Sequence, residues 1–335
     1  MKLFLLGDFY SDNGPGNANK QIMQALLLKY EIIYSKSSNK LGRIWEMFNG
    51  IRKSDIVIIC SKSQLNYFGV KFAKLGRKKI IYVMHGYSSY ESKIENPQME
   101  ESAYRKLCEY EKFIFENVDK IVCVSKKFMN YMKKEFSVYS HKFDYIYNII
   151  DVKKIEQQSE KFQEKRERQI ISIGGGLKRK NINAIAGATD EFKVAVQLCV
   201  IGKNASDGEK IKEHSNVIWY EHLEYGEVIR KLNQSMLYVQ NSMFETFGLA
   251  VIEALYSGCS LLISAEVGCL DLFDNITDND IITDTNNIDE ISRKIEFLLH
   301  NPNNSRLRMN FNVEKVSKDY QIISWNRIIE ELKKV

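Results

Sequence analysis

Two doubly wound α/β domains, each built on a parallel sheet, are the fold that this sequence predicts. Three observations carry the prediction. The chain has 335 residues, more than one hydrophobic core usually serves. Short apolar runs alternate with amphipathic stretches along most of it, which is the pattern of βαβ units. The alternation breaks at QQSEKFQEKRER (157–168), a charged stretch without apolar periodicity, and then restarts.

The elements follow in order. KLFLLGDF at the start, DIVIIC (55–60), KIIYVMH (79–85) and KIVCVS (120–125) are continuous apolar runs of strand length. Such runs suit parallel strands buried on both faces. Helix-like segments lie near 17–29, 63–75, 99–117 and 125–135. The second series comprises QIISIG (169–174), VQLCVIG (196–202), NVIWY (216–220), MLYVQ (236–240) and CSLLIS (259–264). From about residue 287 the tail reads as three helices, the last (319–334) carrying Trp325 among Ile and Leu at helical spacing. The predicted boundaries are 1–155, 156–318 and 319–335, with the final helix returning to the first domain. The three prolines mark no boundary, and no solenoid repeat is present.

Composition narrows the function. Apolar residues make up 44% and charged residues 27%, as in an ordinary globular protein. No apolar run approaches the ~20 residues of a membrane span. MKLFLLGDFY reads as a buried first strand rather than a signal peptide. The six cysteines (Cys60, Cys108, Cys123, Cys199, Cys259, Cys269) have neither disulfide nor metal spacing, and Cys60, Cys123 and Cys199 sit in predicted strands. Reduced thiols and a cytoplasmic location are the expectation. Residues 1–150 carry 24 Lys and Arg against 15 Asp and Glu, and residues 151–335 carry 24 against 28. The excess is either a solvated surface or a face for an anionic partner, such as a membrane or a phosphorylated acceptor. No basic run is interleaved with stacking aromatics, which argues against nucleic acid.

The stretch SMFETFGLAVIEALYSG (242–258) carries the sharpest chemistry. It predicts a helix with Thr246 as N-cap and Gly258 as its stop. The first turn would hold Phe247, Gly248 and Leu249, whose backbone N–H groups lack intrahelical partners and make an anion seat. Glu245 stands just outside. Glu253 would lie roughly 9 Å further along the axis, between apolar neighbours that leave little room for a solvated face. Two acids around a phosphate seat suit a ligand with hydroxyl groups on both sides of its phosphates, since carboxylates accept strong bonds from hydroxyls. A nucleotide sugar has that layout. The loop GGGLKRKN (174–181) is either a second phosphate cradle, through Gly174, Gly175, Lys178, Arg179 and Lys180, or a plain turn. SDNGPGNANKQ (11–21) offers Gly14 and Gly16 as loop glycines, again with a surface turn as the alternative. His85 ends a predicted strand, where ligands gather in parallel sheets, although a lone histidine there is commonly structural. TDND supplies Asp278 and Asp280, a D-x-D match that no buried strand precedes; it reads as a turn.

SMFETFGLAVIEALYSGCSLLIS resembles the E-x7-E signature of the retaining glycosyltransferases of family 4, which adopt the GT-B fold. IISIGGGLKRKNINAI, VQLCVIGKN, IVCVSKKFMNYM and IYNIID resemble that family's pieces in the same order, over about residues 1–300. The resemblance implies two Rossmann-like domains facing a cleft, the first for the acceptor and the second for a nucleotide-diphosphate sugar. It implies Glu245 near the transferred sugar, Glu253 on the ribose hydroxyls, Lys180 on the diphosphate, His85 at the sugar or reacting centre, and Gly14 and Gly16 beside donor phosphate or acceptor. No metal or other cofactor is implied. The family often has an arginine where this chain has Gly175, and Lys178 or Arg179 would then supply the charge. The basic first half of the chain suggests a lipid-linked or growing surface polysaccharide as the acceptor class. A sugar-nucleotide epimerase on the same fold and a non-catalytic nucleotide-sugar-binding subunit are the alternatives. A nicotinamide-dependent dehydrogenase fits poorly, because no GxGxxG follows the first strand.

Overall fold

The apolar runs become strands because Val, Ile, Leu and Phe stand on both faces of each: Leu3, Phe4, Leu5, Val57, Ile58 and Ile59 are all without solvent exposure. The computed structural model describes residues 1–10, 14–37, 39–162, 169–190, 192 and 196–334. Contacts divide the chain into unit 1 (Met1–Lys93, Gln98–Ile149, Glu314–Val335) and unit 2 (Ile94–Pro97, Ile150–Val313).

Unit 1 holds β1 (Lys2–Leu6), β2 (Glu31–Tyr34), β3 (Ile56–Ile59), β4 (Lys79–Met84), β5 (Lys120–Cys123) and β6 (Phe143–Tyr145) in the order β2-β1-β3-β4-β5-β6. All pairings are parallel, with Leu3 opposite both Ile32 and Ile56. The last helix, Lys318–Lys333, belongs to this unit. Its Trp325, Ile328, Ile329 and Leu332 are buried with Leu3, Leu5, Ile22 and Leu26.

Unit 2 holds β7 (Gln169–Ile173), β8 (Gln197–Ile201), β9 (Val217–Tyr220), β10 (Leu237–Gln240), β11 (Ser260–Ser264) and β12 (Ile281–Ile282) in the order β12-β11-β10-β7-β8-β9, again all parallel. β2, β6 and β12 were not anticipated from the sequence, nor were the helices Lys40–Lys53 and Ser88–Glu95. The proposed break at 157–168 is partly helical, because Val152–Ser159 forms a helix capped by the Asp151 side chain on the Lys154 N–H; residues 163–168 lie outside the described residues. Cys60, Cys123 and Cys199 are buried and lie outside any disulfide.

Candidate functional site in the second unit

In open α/β sheets ligands gather beyond the carboxyl ends of the strands, where the strand order reverses. In unit 2 that point lies between β7 and β10, whose following strands β8 and β11 lie on opposite sides. The loop after β7 runs from Gly174 to Asn181, and the loop after β10 from Asn241 to Gly248. The Met243 N–H donates to the Arg179 carbonyl at 2.7 Å and ties the two together.

The first loop is laced to β8. Gly174 and Gly175 N–H groups donate to the Ile201 carbonyl at 2.8 and 3.0 Å, and the Gly176 N–H to that of Lys203 at 3.0 Å. Gly175 has φ +57°, and a Cβ there would lie 2.3 Å from the Lys203 carbonyl oxygen and 2.5 Å from the Gly202 carbonyl carbon. The loop therefore has no room for the arginine that the resemblance suggests at this position. A 3₁₀ turn over Lys178–Lys180 follows and ends on Asn181 in the left-handed region. Lys178 and Arg179 donate their backbone N–H groups to the Glu95 carboxylate, at 2.9 and 3.3 Å.

The second loop holds Glu245. The Glu245 N–H donates to the Glu266 carbonyl at 3.3 Å, and the Gly268 N–H to the Glu245 carbonyl at 2.9 Å. The Glu245 carboxylate accepts from the Lys180 ammonium, and both side chains are 14% exposed. Arg179 Nη1 lies 3.9 Å away and Gln240 Nε2 3.4 Å away. Gln240 in turn accepts from the Tyr238 hydroxyl and donates to Ser242 Oγ at 2.8 Å. Burial alone would raise the Glu245 pKa. The Lys180 and Arg179 charges, with bonds from Lys180 and the Phe247 N–H, outweigh burial and hold it below the ordinary value.

Several sequence expectations need correction here. The helix is Leu249–Tyr256, not one beginning at Phe247, and its N-cap is Gly248 at φ +97° rather than Thr246. Thr246 and Phe247 lie before it and are buried. Four residues from Glu245 to Gly248 are non-helical, so the 9 Å axial spacing does not apply. The first helical turn starts at Leu249, and the electropositive end with it. Gly258 does stop the helix, at φ +90° with its N–H on the Leu255 carbonyl.

Glu253 stands on that helix between buried Ile252 and Ala254. Burial raises its pKa, while a hydrogen bond with the Tyr225 side chain works in the other direction. Tyr225 begins the helix Tyr225–Asn233, and burial followed by the Glu253 charge raises its own pKa. Sequence reasoning missed Tyr225 and Gln240. Gln240 closes a strand at the switch point and was open to inference; Tyr225 lies 28 positions before its partner on a different element, with no signal in its neighbours.

In unit 1, Gly14 and Gly16 fall in the first turn of helix Gly14–Leu26 and not in a loop, Gly14 exposed and Gly16 buried; residues 11–13 lie outside the described residues. His85 follows β4, and its Nε2 is 2.7 Å from Asn19 Oδ1. Asn19 Nδ2 donates to the Asp8 carbonyl at 2.9 Å, which fixes the amide and makes Nε2–H the donor. Burial pushes the His85 pKa down to about 4, against a smaller raising by the Cys60 carbonyl.

Asp278–Asp280 is a 3₁₀ turn with a capping box from Thr277. Asp280 is fully buried on Arg306 Nη2, at 2.7 and 2.8 Å, and on Asn303 Nδ2 at 2.7 Å. Among the described residues no three His, Cys, Asp or Glu side chains converge as metal ligands.

The family model described as Glycosyl transferases group 1 matches residues 153–316, and that described as Glycosyltransferase Family 4 matches residues 11–154. No curated protein sequence matches. Among solved structures, Anabaena Alr3699/HepE in complex with UDP and glucose is similar at 13% identity and TM-score 0.69, with 100% of each chain covered. Sucrose-phosphate synthase from Thermosynechococcus elongatus is similar at 14% identity and TM-score 0.74, with 99% of each chain covered. WaaG, a glycosyltransferase involved in lipopolysaccharide biosynthesis, is similar at 16% identity and TM-score 0.57 over 96% of this chain and 95% of its own. At these identities the likeness is one of fold, and the fold is GT-B. The two models together span nearly the whole chain, which belongs to glycosyltransferase family 4 and is a glycosyltransferase.

Proposed function

We propose that this protein transfers a hexosyl group from a nucleotide-diphosphate sugar, with retention of anomeric configuration and without a metal ion, to a saccharide acceptor carried on a lipid. The observation that supports this most directly is the placement of Glu245, Lys180 and the start of helix Leu249–Tyr256 on two loops tied together at the β7/β10 switch point. Positive charge for a leaving diphosphate comes from Lys180, Arg179 and the helix end, which act as fixed electrostatic stabilisers. When the diphosphate arrives, the Lys180 ammonium shares its bonds between Glu245 and the phosphate. Glu245 remains anionic beside the transferred sugar, where positive charge grows as the glycosidic bond breaks. Glu253 accepts the ribose hydroxyls, and Tyr225 orients its carboxylate.

Gly248 lets the donor approach the backbone, and Gly174, Lys178 and Thr246 complete the donor side. Gly14, Gly16 and His85 are assigned to the acceptor side in unit 1. The acceptor class rests on the basic first half of the chain, and a cytoplasmic location at an anionic membrane face goes with it.

The test uses UDP-glucose, the donor found in one HepE complex, within a panel of nucleotide sugars. Glu253→Gln should weaken donor binding by roughly ten- to a hundredfold, the worth of a bond to a charged acceptor. Glu245→Gln should leave binding nearly intact and slow transfer by roughly a hundredfold or more. Turnover should survive EDTA, and NMR of the product should show the donor's anomeric configuration. Wild-type binding and turnover in both variants would remove the assignment.

A further inference from the structure

The positive charge of the first half is concentrated in one stretch of the sequence. Residues 36–79 contain eleven Lys and Arg against two Asp and Glu, a net of +9, while the rest of residues 1–150 is balanced at thirteen of each. Both acids are occupied locally. Glu46 accepts from Ser35 Oγ at 2.6 Å and from the N–H groups of Lys36 and Ser37 at 2.9 and 3.0 Å. Asp55 accepts from the Lys2 N–H at 2.8 Å. Two helices of this stretch, Lys40–Lys53 and Gln64–Leu75, pack side by side, with Phe48 and Phe72 in edge contact at 4.0 Å between ring centroids.

Both helices expose large apolar side chains among basic ones. In the first helix Met47 and Ile51 are buried, yet Leu41, Ile44, Trp45 and Phe48 repeat at helical spacing on another face and are exposed, Leu41 at 80% and Trp45 at 68%. In the second, Phe68 and Leu75 are exposed one turn either side of Lys71. Scattered exposed apolar side chains are ordinary, but six on two adjoining helices, four of them at helical spacing on one, mark an interaction surface. Around the patch stand Arg52, Lys53, Lys74 and Arg77, all exposed. An apolar face with an aromatic residue inside a basic border is the composition of a helix that lies in a lipid headgroup layer.

We propose that helices Lys40–Lys53 and Gln64–Leu75 form a docking face for an anionic bilayer, with Leu41, Trp45, Phe68 and Leu75 inserted and the basic border on the headgroups. The charge complementarity selects this occupant, because a second copy would bring two strongly positive faces together. The proposal locates the membrane contact of the function proposed above, and its test is separate: transfer to a water-soluble acceptor is measured without vesicles.

The full-length protein is titrated with phosphatidylcholine vesicles with and without phosphatidylglycerol. Binding should require the anionic lipid and weaken as salt rises. Trp45 emission should shift to the blue and be quenched by brominated acyl chains, and Trp45→Phe should remove most of that change, since Trp325 is buried and Trp219 partly so. Lys53→Ala with Lys74→Ala should lower partitioning roughly tenfold or more. Leu41→Ser with Trp45→Ser should lower it at least as far, with the transferase rate on the soluble acceptor unchanged. Equal binding to neutral vesicles, no loss in these variants, or self-association through this face without vesicle binding would each overturn the proposal.

Discussion

His85 shows how one side chain's surroundings become a measurable property. Its depressed pKa means that between pH 6.5 and about 4 the unfolded chain takes up a proton that the folded chain refuses. The stability this residue supports is thus present above pH 6.5 and is lost as pH falls toward 4, a loss on the order of 3 kcal/mol when complete. Urea unfolding across that range should show a flatter pH profile for His85→Gln than for the wild type; equal slopes would refute the buried neutral histidine. The pair Lys180–Glu245 makes a second residue-scale prediction. With both side chains 14% exposed, removing one partner strands a charge, which costs roughly 3–5 kcal/mol. Lys180→Met and Glu245→Gln together should therefore destabilise by less than the sum of the single changes in a double-mutant cycle.

At the scale of elements, the loop after β7 is shaped by contact with its neighbour. Gly175 combines a left-handed φ with backbone atoms of Gly202 and Lys203 at the place of a Cβ. Gly175→Ala should destabilise by roughly 1–3 kcal/mol, and Gly175→Arg, which restores the family's commoner residue, should do at least as much harm. Chemical denaturation checks both; a stabilised Arg variant would mean that the loop can move off β8. The helix Leu249–Tyr256 depends similarly on Gly248, where a Cβ would meet Val267 Cγ1 at 2.8 Å. The patterns of these elements were legible in unequal measure. Strands buried on both faces announced themselves as apolar runs. β6 and β12, with three and two residues, are too short to carry a period. Helix Lys40–Lys53 was missed because apolar residues on two faces blur the 3.6-residue signal that a half-buried helix shows.

At the scale of the whole molecule, chain order and unit membership differ. The last helix is separated in sequence by Ile150–Val313 of unit 2 from the sheet it covers, yet it completes the core of unit 1. Arg327 on it pairs in bidentate fashion with Asp144, at 2.7 and 2.8 Å. Trp325 is 1% exposed, so Trp325→Ala should cost roughly 3–5 kcal/mol. Calorimetry should show the loss in unit 1, while the melting shift given to unit 2 by a bound nucleotide sugar persists. A loss of that nucleotide-dependent shift would show that the units do not unfold independently.

Nine of the twelve described strands, the acids Glu245 and Glu253 and the glycine-rich loop could be read from the chain alone, because each is a local pattern of residue types. Tertiary structure alone decided that Lys180 bonds to Glu245, that Tyr225 reaches Glu253, that Gly175 has no space for a side chain, and that the helix opens at Leu249 instead of Phe247. Those four depend on which loop lies against which strand end. Such contacts are made between residues far apart in the chain, and nothing in the residues' immediate neighbours records them.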